Sequence, residues 1–426
     1  MNFFSLTFGS LKVDSMSLTA IAENLSTPIT RAGINKRFDQ HASDFLQGVY
    51  SHVFAVMSKA HTNALPVDIF KKFRNIQIND SSSWKVPAAL KGFFPGYNQA
   101  GCKIQFMLNY KTGTIQQVDI GPETSADQQY SKSLANLLQE DDLILFDLGF
   151  AIPEALSKID ARGAFFICRF NDATINIYRD DDLSSAKIDI LKRLNSLQNP
   201  KAVYEIPCFV GNQNQRTKVR LLAVRVPEEV ANRRRQKLRA QSRKKRWVPK
   251  ERSLNLCNWT LIMTNIPVEK GVTFQEIFAL YAIRWTIEIF FKQLKSVLSI
   301  HKTYVKTNPH RLKAEILARS IIALFITYCF SLARSDLWRQ AKREISFEKT
   351  VKYFKRHAAI LMDRFLRSIR NAVIYLQQMI FQIISSCEKY RQPTRKNSLD
   401  KLIEQTFYRE FRYIKLIRPK LVGFTP

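Results

Sequence analysis

The spacing of apolar positions along the chain changes more than once. Over residues 1–60 it is helical: Leu18, Ile21, Ala22 and Leu25 follow i, i+3, i+4, i+7. Ser26-Thr27-Pro28 breaks that helix, and a second is predicted over 29–40, with Arg31, Lys36 and Arg37 opposite Ile34 and Phe38. Helix, break, basic helix suits a helix-turn-helix DNA reader and equally an ordinary basic hairpin. From residue 70 the texture is that of strands. Ile76, Ile78 and Asp80 share one side of a strand, and strands over 103–109 and 114–120 flank the turn Tyr110-Lys111-Thr112-Gly113. A helix is predicted around 130–139. Leu143-Ile144-Leu145-Phe146 is a continuous apolar run ending at Asp147, as in a strand covered on both faces. A helix over 153–161 and a buried strand over 164–169 follow. Strands first, then strand alternating with helix, predict a mixed α/β sheet.

Residues 171–260 interrupt this alternation with short β-like runs at 174–177, 202–207 and 219–226. A strand over 259–264 leads into one long helix over 273–296, and residues 310–415 have mostly helical spacing. No internal repeat is present. The longest apolar stretch, 320–333, is flanked by Arg319 and Arg334. At about 14 residues it is short for a ~30 Å bilayer core, so it reads as a core helix, and no membrane partner is expected.

Charge adds a partner to this picture. The 426 residues hold 66 Lys and Arg against 36 Asp and Glu, a formal net charge of +30, which calls for a polyanion, nucleic acid before anionic membrane. The excess concentrates in residues 233–252, where eleven of twenty are basic and Glu251 is the one acid. Arg243, Lys244, Lys245 and Arg246 form its densest run, better suited to phosphate contact than to a bare solvated surface. The six cysteines make no C-x-x-C pair and the six histidines no H-E-x-x-H pair, so reduced buried thiols in a cytoplasmic protein are expected, and zinc is not.

The segment from Tyr281 to Lys295 divides its faces unusually. At ~100° per residue, Tyr281, Arg284, Glu288, Lys292 and Lys295 fall on one face, and Ile283, Ile287, Phe290 and Leu294 on an apolar one. The polar row spans ~21 Å, long enough to track several nucleotides. The plainer alternative is a solvated helix with Arg284–Glu288 and Glu288–Lys292 salt bridges. Trp285 could stack on an extruded base, although packing inside a helix bundle is its more ordinary use. The acidic runs Asp141-Asp142 and Asp180-Asp181-Asp182 read as turns, and Asp119 and Glu205 lack the helical context of Glu288.

The spacing Tyr281-x2-Arg284-x3-Glu288-x6-Lys295 resembles the Y-R-E-K signature of the insertion-sequence-4 family of DDE transposases. Ile76–Ser82 is similar to the strand that ends in that family's first acidic residue. Leu143–Phe150, followed by a helix and by Phe165-Phe166-Ile167-Cys168-Arg169, is similar to the segment with its second. The run ending Thr264-Asn265 resembles the strand before its last catalytic helix. The resemblance covers roughly residues 30–300.

It implies a ribonuclease-H-like mixed sheet with a β-rich insertion, plus helical N-terminal and C-terminal regions. The expected division is a DNA-binding domain over 1–70, a catalytic core over 71–170 and 261–305, a basic insertion over 171–260, and a helical region over 306–426. Asp80, Asp147 and Glu288 would then be the catalytic triad, holding two Mg2+ or Mn2+ ions in a cut-and-paste reaction that frees a 3′-hydroxyl and joins it to target DNA. Asp80 would bridge both ions, with Asp147 and Glu288 on one each. Arg169, Tyr281, Arg284, Lys292 and Lys295 would hold DNA, and a hairpin on the excised end is associated with the signature. The implied partners are double-stranded DNA, as terminal inverted repeats and target, and a second copy in the synaptic complex, in a nucleoid-associated cytoplasmic setting. A nuclease that cuts without joining, and a catalytically silent DNA-binding inhibitor, are the alternatives.

Overall fold

The computed structural model describes residues 17–23, 28–59, 67–197, 203–244, 246–390 and 420–421. In chain order, α1 (Leu18–Glu23), α2 (Arg31–Lys36), α3 (Gln40–Lys59) and α4 (Asp68–Lys71) precede β1 (Ile76–Lys85), β2 (Gly101–Asn109) and β3 (Thr114–Pro122). Then come α5 (Asp127–Leu134), β4 (Leu143–Leu145), α6 (Pro153–Asp160), β5 (Phe165–Arg169), β6 (Asn176–Tyr178) and α7 (Ile190–Asn195). After these, β7 (Val203–Gly211), β8 (Arg216–Arg225), α8 (Glu228–Lys244), α9 (Glu251–Leu256), β9 (Trp259–Thr264), α10 (Phe274–Ile283) and α11 (Trp285–Ser296) lead to the long helices α12 (Pro309–Ala341), α13 (Phe347–Arg367) and α14 (Ile369–Ser386). A two-residue strand, β10 (Lys420–Leu421), pairs parallel with β7.

The hydrogen-bonded strand order is β10-β7-β8-β9-β5-β4-β1-β2-β3, with β6 pairing β7 off this path. β1–β4 and β4–β5 are parallel, whereas β2–β3, β5–β9, β7–β8 and β8–β9 are antiparallel. The 3-2-1-4-5 order with an antiparallel β2–β3 pair and parallel β1, β4 and β5 makes this a mixed α/β, ribonuclease-H-like fold. Leu143, Ile144 and Leu145 are wholly buried, as an apolar strand between two parallel neighbours must be.

By its contacts the chain forms two compact units. One holds residues 1–66, 79–126 and 286–392, and the other holds 67–78, 127–285 and 393–426. In the first, α12 packs against α3, α13, α14 and β3. Its 33 residues exceed the 14-residue apolar stretch legible in sequence and are long and apolar enough to cross a membrane, but 78% of its apolar window is buried inside the protein. In the second, α6 packs on β5, β7 and β8, and α10 packs on β5.

Several expectations are corrected. The helix predicted over 29–40 stops at Lys36, because Asn308 donates its side-chain amide to the carbonyls of Asn35 (3.3 Å) and Phe38 (2.9 Å) and holds the chain open there. β1 runs on through Ser81–Lys85. The helix expected to 139 ends as α5 at Leu134, followed by a 3-10 turn, Ala135–Leu137. The single helix over 273–296 is two, broken at Arg284, whose N–H bonds the carbonyl of Tyr281 three residues back at 3.2 Å. The basic tract is largely helix α8, which only Val230, Ala231 and Ser242 anchor in the interior. Leu25, Ser26, Thr27, Lys245 and the predicted helical residues 391–415 lie outside the described residues.

The described cysteines are free, as expected. Cys102, Cys168, Cys208, Cys329 and Cys387 are buried and Cys257 is half-buried. Burial pushes the Cys102, Cys208 and Cys329 thiols up to about 12.

Candidate active site

In the second unit, Asp147 follows β4 in an extended conformation just before a short 3-10 turn, Leu148–Phe150, its main-chain carbonyl accepting the Phe150 N–H at 3.1 Å. Its half-buried carboxylate raises the neighbouring Cys168 thiol, which burial already holds well above its usual range. Tyr281 closes α10, a helix fixed at its start by a capping box in which Thr273 and Glu276 bond each other's backbone N–H. Lys72 pairs with Glu276 at 3.0 Å and holds that end down. The Tyr281 hydroxyl is buried and has no hydrogen-bond partner among the described residues. Burial pushes it up to about 12, Arg169 and Arg284 pull it down, and Asp147 pushes it up. The Arg284 guanidinium lies 5.8 Å from the Tyr281 ring centre. A phenol, two guanidinium groups and a carboxylate thus share one electrostatic neighbourhood. The phenol remains a protonated donor across the physiological range.

In the first unit, Asp80 is half-buried on β1, and one of its oxygens accepts the Ser81 N–H at 2.8 Å. Glu288 is half-buried in the first turn of α11, where the helix dipole favours an anion. The predicted apolar face of the helical segment is real: Ile287, Phe290, Phe291 and Leu294 are buried, and Phe106 of β2 meets Phe290 and Phe291 edge-on at 5.4 and 5.6 Å. Lys295 donates to the Ser83 carbonyl at 3.2 Å and lies 5.9 Å from the Trp84 ring centre, and burial lowers its pKa. Lys292 is exposed. Trp285, which belongs to the second unit, is 52% exposed, which overturns packing inside a bundle.

Asp80 and Glu288 therefore belong to one unit and Asp147 to the other. Among the described residues no three His, Cys, Asp or Glu side chains form a group able to hold a metal ion. The donor chemistry fits a hard divalent cation: each of the three is a half-buried carboxylate, and the soft donor beside Asp147 is a buried thiol held protonated.

The other sequence candidates separate in the structure. Arg31, Lys36 and Arg37 are exposed on and just after α2, and Arg243, Lys244 and Arg246 at the end of α8. Arg169 is exposed at the end of β5. Glu205 is tied to Arg220 at 2.5 Å, and Asp119 accepts from Gln117 at 3.0 Å. Asn265 is a structural clasp: its amide oxygen accepts the Phe166 N–H and its nitrogen donates to Asp160 and Ala164, tying the end of β9 to β5.

A ribonuclease-H-like sheet with one aspartate on β1, another after β4 and a glutamate on a later helix is the arrangement of DNA-cutting and strand-transferring enzymes of the DDE class. The profile of the Transposase DDE domain matches residues 71–326, and the chain belongs to that family. It is similar to the transposases for insertion sequence elements IS231B (27% identical over 92% of this chain and 85% of that one) and IS231C (29%, 79% and 73%), both of Bacillus thuringiensis subsp. berliner. It is similar also to that of IS1151 from Clostridium perfringens (23%, 92% and 83%). These relatives agree with the insertion-sequence-4 resemblance. The chain is thus an enzyme of DNA transposition that binds DNA and depends on divalent metal, and its place of action is the cytoplasm.

Proposed function

We propose that Asp80, Asp147 and Glu288 are the metal-holding carboxylates of a cut-and-paste reaction, converging on two Mg2+ or Mn2+ ions at a transposon end. The observation that carries this reading is the Tyr281 hydroxyl, buried and unpartnered among the described residues, in a neighbourhood that Asp147 shares with Arg169 and Arg284. A donor buried without an acceptor costs about 1–3 kcal/mol, a cost that binding of a phosphate oxygen would remove. Bound to the three carboxylates, the ions would supply an activated water and stabilisation of the leaving oxygen.

The chain's own groups do the rest. Arg284 offers a planar fork to a phosphate, and Lys295 a point charge. Tyr281 donates a hydrogen bond without losing its proton. Trp285, exposed beside Arg284, offers a stacking face to an unpaired base. Lys292, Arg169 and the exposed Arg243, Lys244 and Arg246, with Lys245, hold the DNA backbone. Arg31, Lys36 and Arg37 within residues 1–70 contact the terminal inverted repeats, and the insertion over 171–260 lies on the DNA end. Two ends must be joined to one target, so the synaptic complex contains two copies, working at the nucleoid.

The test is incubation of the purified protein with DNA carrying the flanking ends of its own reading frame and a target plasmid, with Mg2+, with Mn2+ and with chelator. Metal-dependent cutting followed by joined products is expected. Cutting without joining would favour the plain nuclease, and binding without cutting the silent inhibitor.

A further inference from the structure

A cleft of about 1130 Å3 opens within the second unit, lined by α8, α9, β9 and the segment after β5, with Leu148 and Arg169 among its walls. Leu148 is the residue next to Asp147 in the chain, so the cleft begins one residue beyond that aspartate. Seven Lys or Arg side chains line it against two acids, Asp172 and Asp189. Arg252 binds both acids, Asp189 at 2.7 Å, and the seven cations exceed the two acids of the lining by five formal charges. Arg233 and Lys237 on α8, Lys187 before α7 and Lys250 before α9 are exposed. Between them, Ile188, Leu238 and Leu256 are half-buried and present apolar surface to the opening.

We infer that this cleft seats a single strand of DNA leading away from Asp147. The inference rests on the reading that Asp147 belongs to the cutting site. A cationic rim alone would suit any polyanion, but a cationic rim over apolar surface is what a single strand needs: phosphates go to the rim and base faces to the apolar side chains. A duplex hides its base faces and gains nothing from Leu238, Leu256 or Ile188. Nicking at an end frees a strand terminus beside Asp147, which supplies such a ligand without any further reaction. Arg243, Lys244 and Arg246, at the far end of α8, are not among the lining residues, so the two ends of one basic helix are assigned different ligands.

The test uses full-length protein and two labelled probes, an oligo-dT of roughly 12 nucleotides, within the range that single-strand modules cover, and a duplex of the same length. In the Arg233→Glu/Lys237→Glu variant, oligo-dT affinity should fall at least about tenfold and duplex affinity less than about twofold. The salt slope for oligo-dT should drop by about 1.4, two contacts at ~0.7 each. Lys250→Glu, across the cleft, should show the same selectivity, while Arg243→Glu/Lys244→Glu should weaken the duplex more than the single strand. Circular dichroism and the duplex arm report on folding. Equal loss for both probes, or unchanged oligo-dT binding in folded variants, overturns the inference. End cutting by the unaltered protein is assayed in parallel: cutting without cleft-selective binding sinks this inference alone, and selective binding without cutting sinks the transposition mechanism while the cleft assignment stands.

Discussion

The Lys295 ammonium donates to the main-chain carbonyl of Ser83 at 3.2 Å. That one bond ties α11, which carries Glu288, to β1, which carries Asp80. Ser83 lies three residues along the strand from Asp80, and Lys295 lies two helical turns beyond Glu288. The residue of the signature that sequence assigns to phosphate thus also registers two elements of the candidate site.

Lys295→Met should separate these two roles. The side chain is part-exposed and its single bond is to a neutral carbonyl, so the stability cost should stay within about 1 kcal/mol. End cutting should fall by at least about tenfold, the ~1.4 kcal/mol of one phosphate contact. Urea unfolding and a cleavage time course measure the two. A collapse of stability with proportionate loss of cutting would make the residue structural.

Asp80→Ala, Asp147→Ala and Glu288→Ala should each lower cutting by at least about 100-fold, the scale of removing a charge-stabilising group. Binding to a duplex end should change by less than about threefold. Gel-shift and cleavage assays on the same preparations decide. Near-full cutting by any one of them removes that residue from the triad.

Arg311, Glu315 and Arg319 form a buried charged ladder on α12, with Arg311 and Glu315 3.2 Å apart. Thr303 donates to Glu315 at 2.7 Å and Arg319 to the Lys302 carbonyl at 2.8 Å, so the ladder also holds the segment leaving α11. Glu315→Leu strands two buried cations and should cost about 3–5 kcal/mol. Replacing all three by Met or Leu should recover most of it. Denaturant midpoints of the single and triple variants would show whether the single change is the worse one.

His301 titrates below its ordinary 6.5, through burial first and then the positive Lys295, Lys302 and Arg319. The unfolded chain therefore binds the proton more readily than the folded one. Stability should fall as pH drops through about 6.5 towards the lower folded value, and be flat above it. Melting temperatures of the native protein and His301→Gln between pH 8 and 5 test the sign: the native protein should lose more on acidification, by a margin that vanishes near neutral pH.

Much of this was legible residue by residue. The apolar run before Asp147 reads as a central strand because both faces are covered, and Ile287, Phe290 and Leu294 keep a helical period because one face is buried, with Phe290 and Phe291 against Phe106. The break at Arg284 was not legible, since an apolar period continues through a tightened turn without losing phase. Helix α8 was hidden because its run of cations carries almost no apolar period to read. Trp285 looked like core by composition alone, and only its neighbours leave it half-exposed.

The sequence by itself determined the elements that bear Asp80, Asp147 and Glu288, the basic character of 233–252 and the family, because period, charge and motif spacing are local properties of a chain. Tertiary structure decided that Lys295 clamps β1, that Tyr281 keeps a buried hydroxyl without a partner among the described residues, and that cations from α8, from α9 and from the segments before α7 and α9 border one cleft. Those facts depend on which distant surfaces exclude water from one another, and no local pattern encodes that.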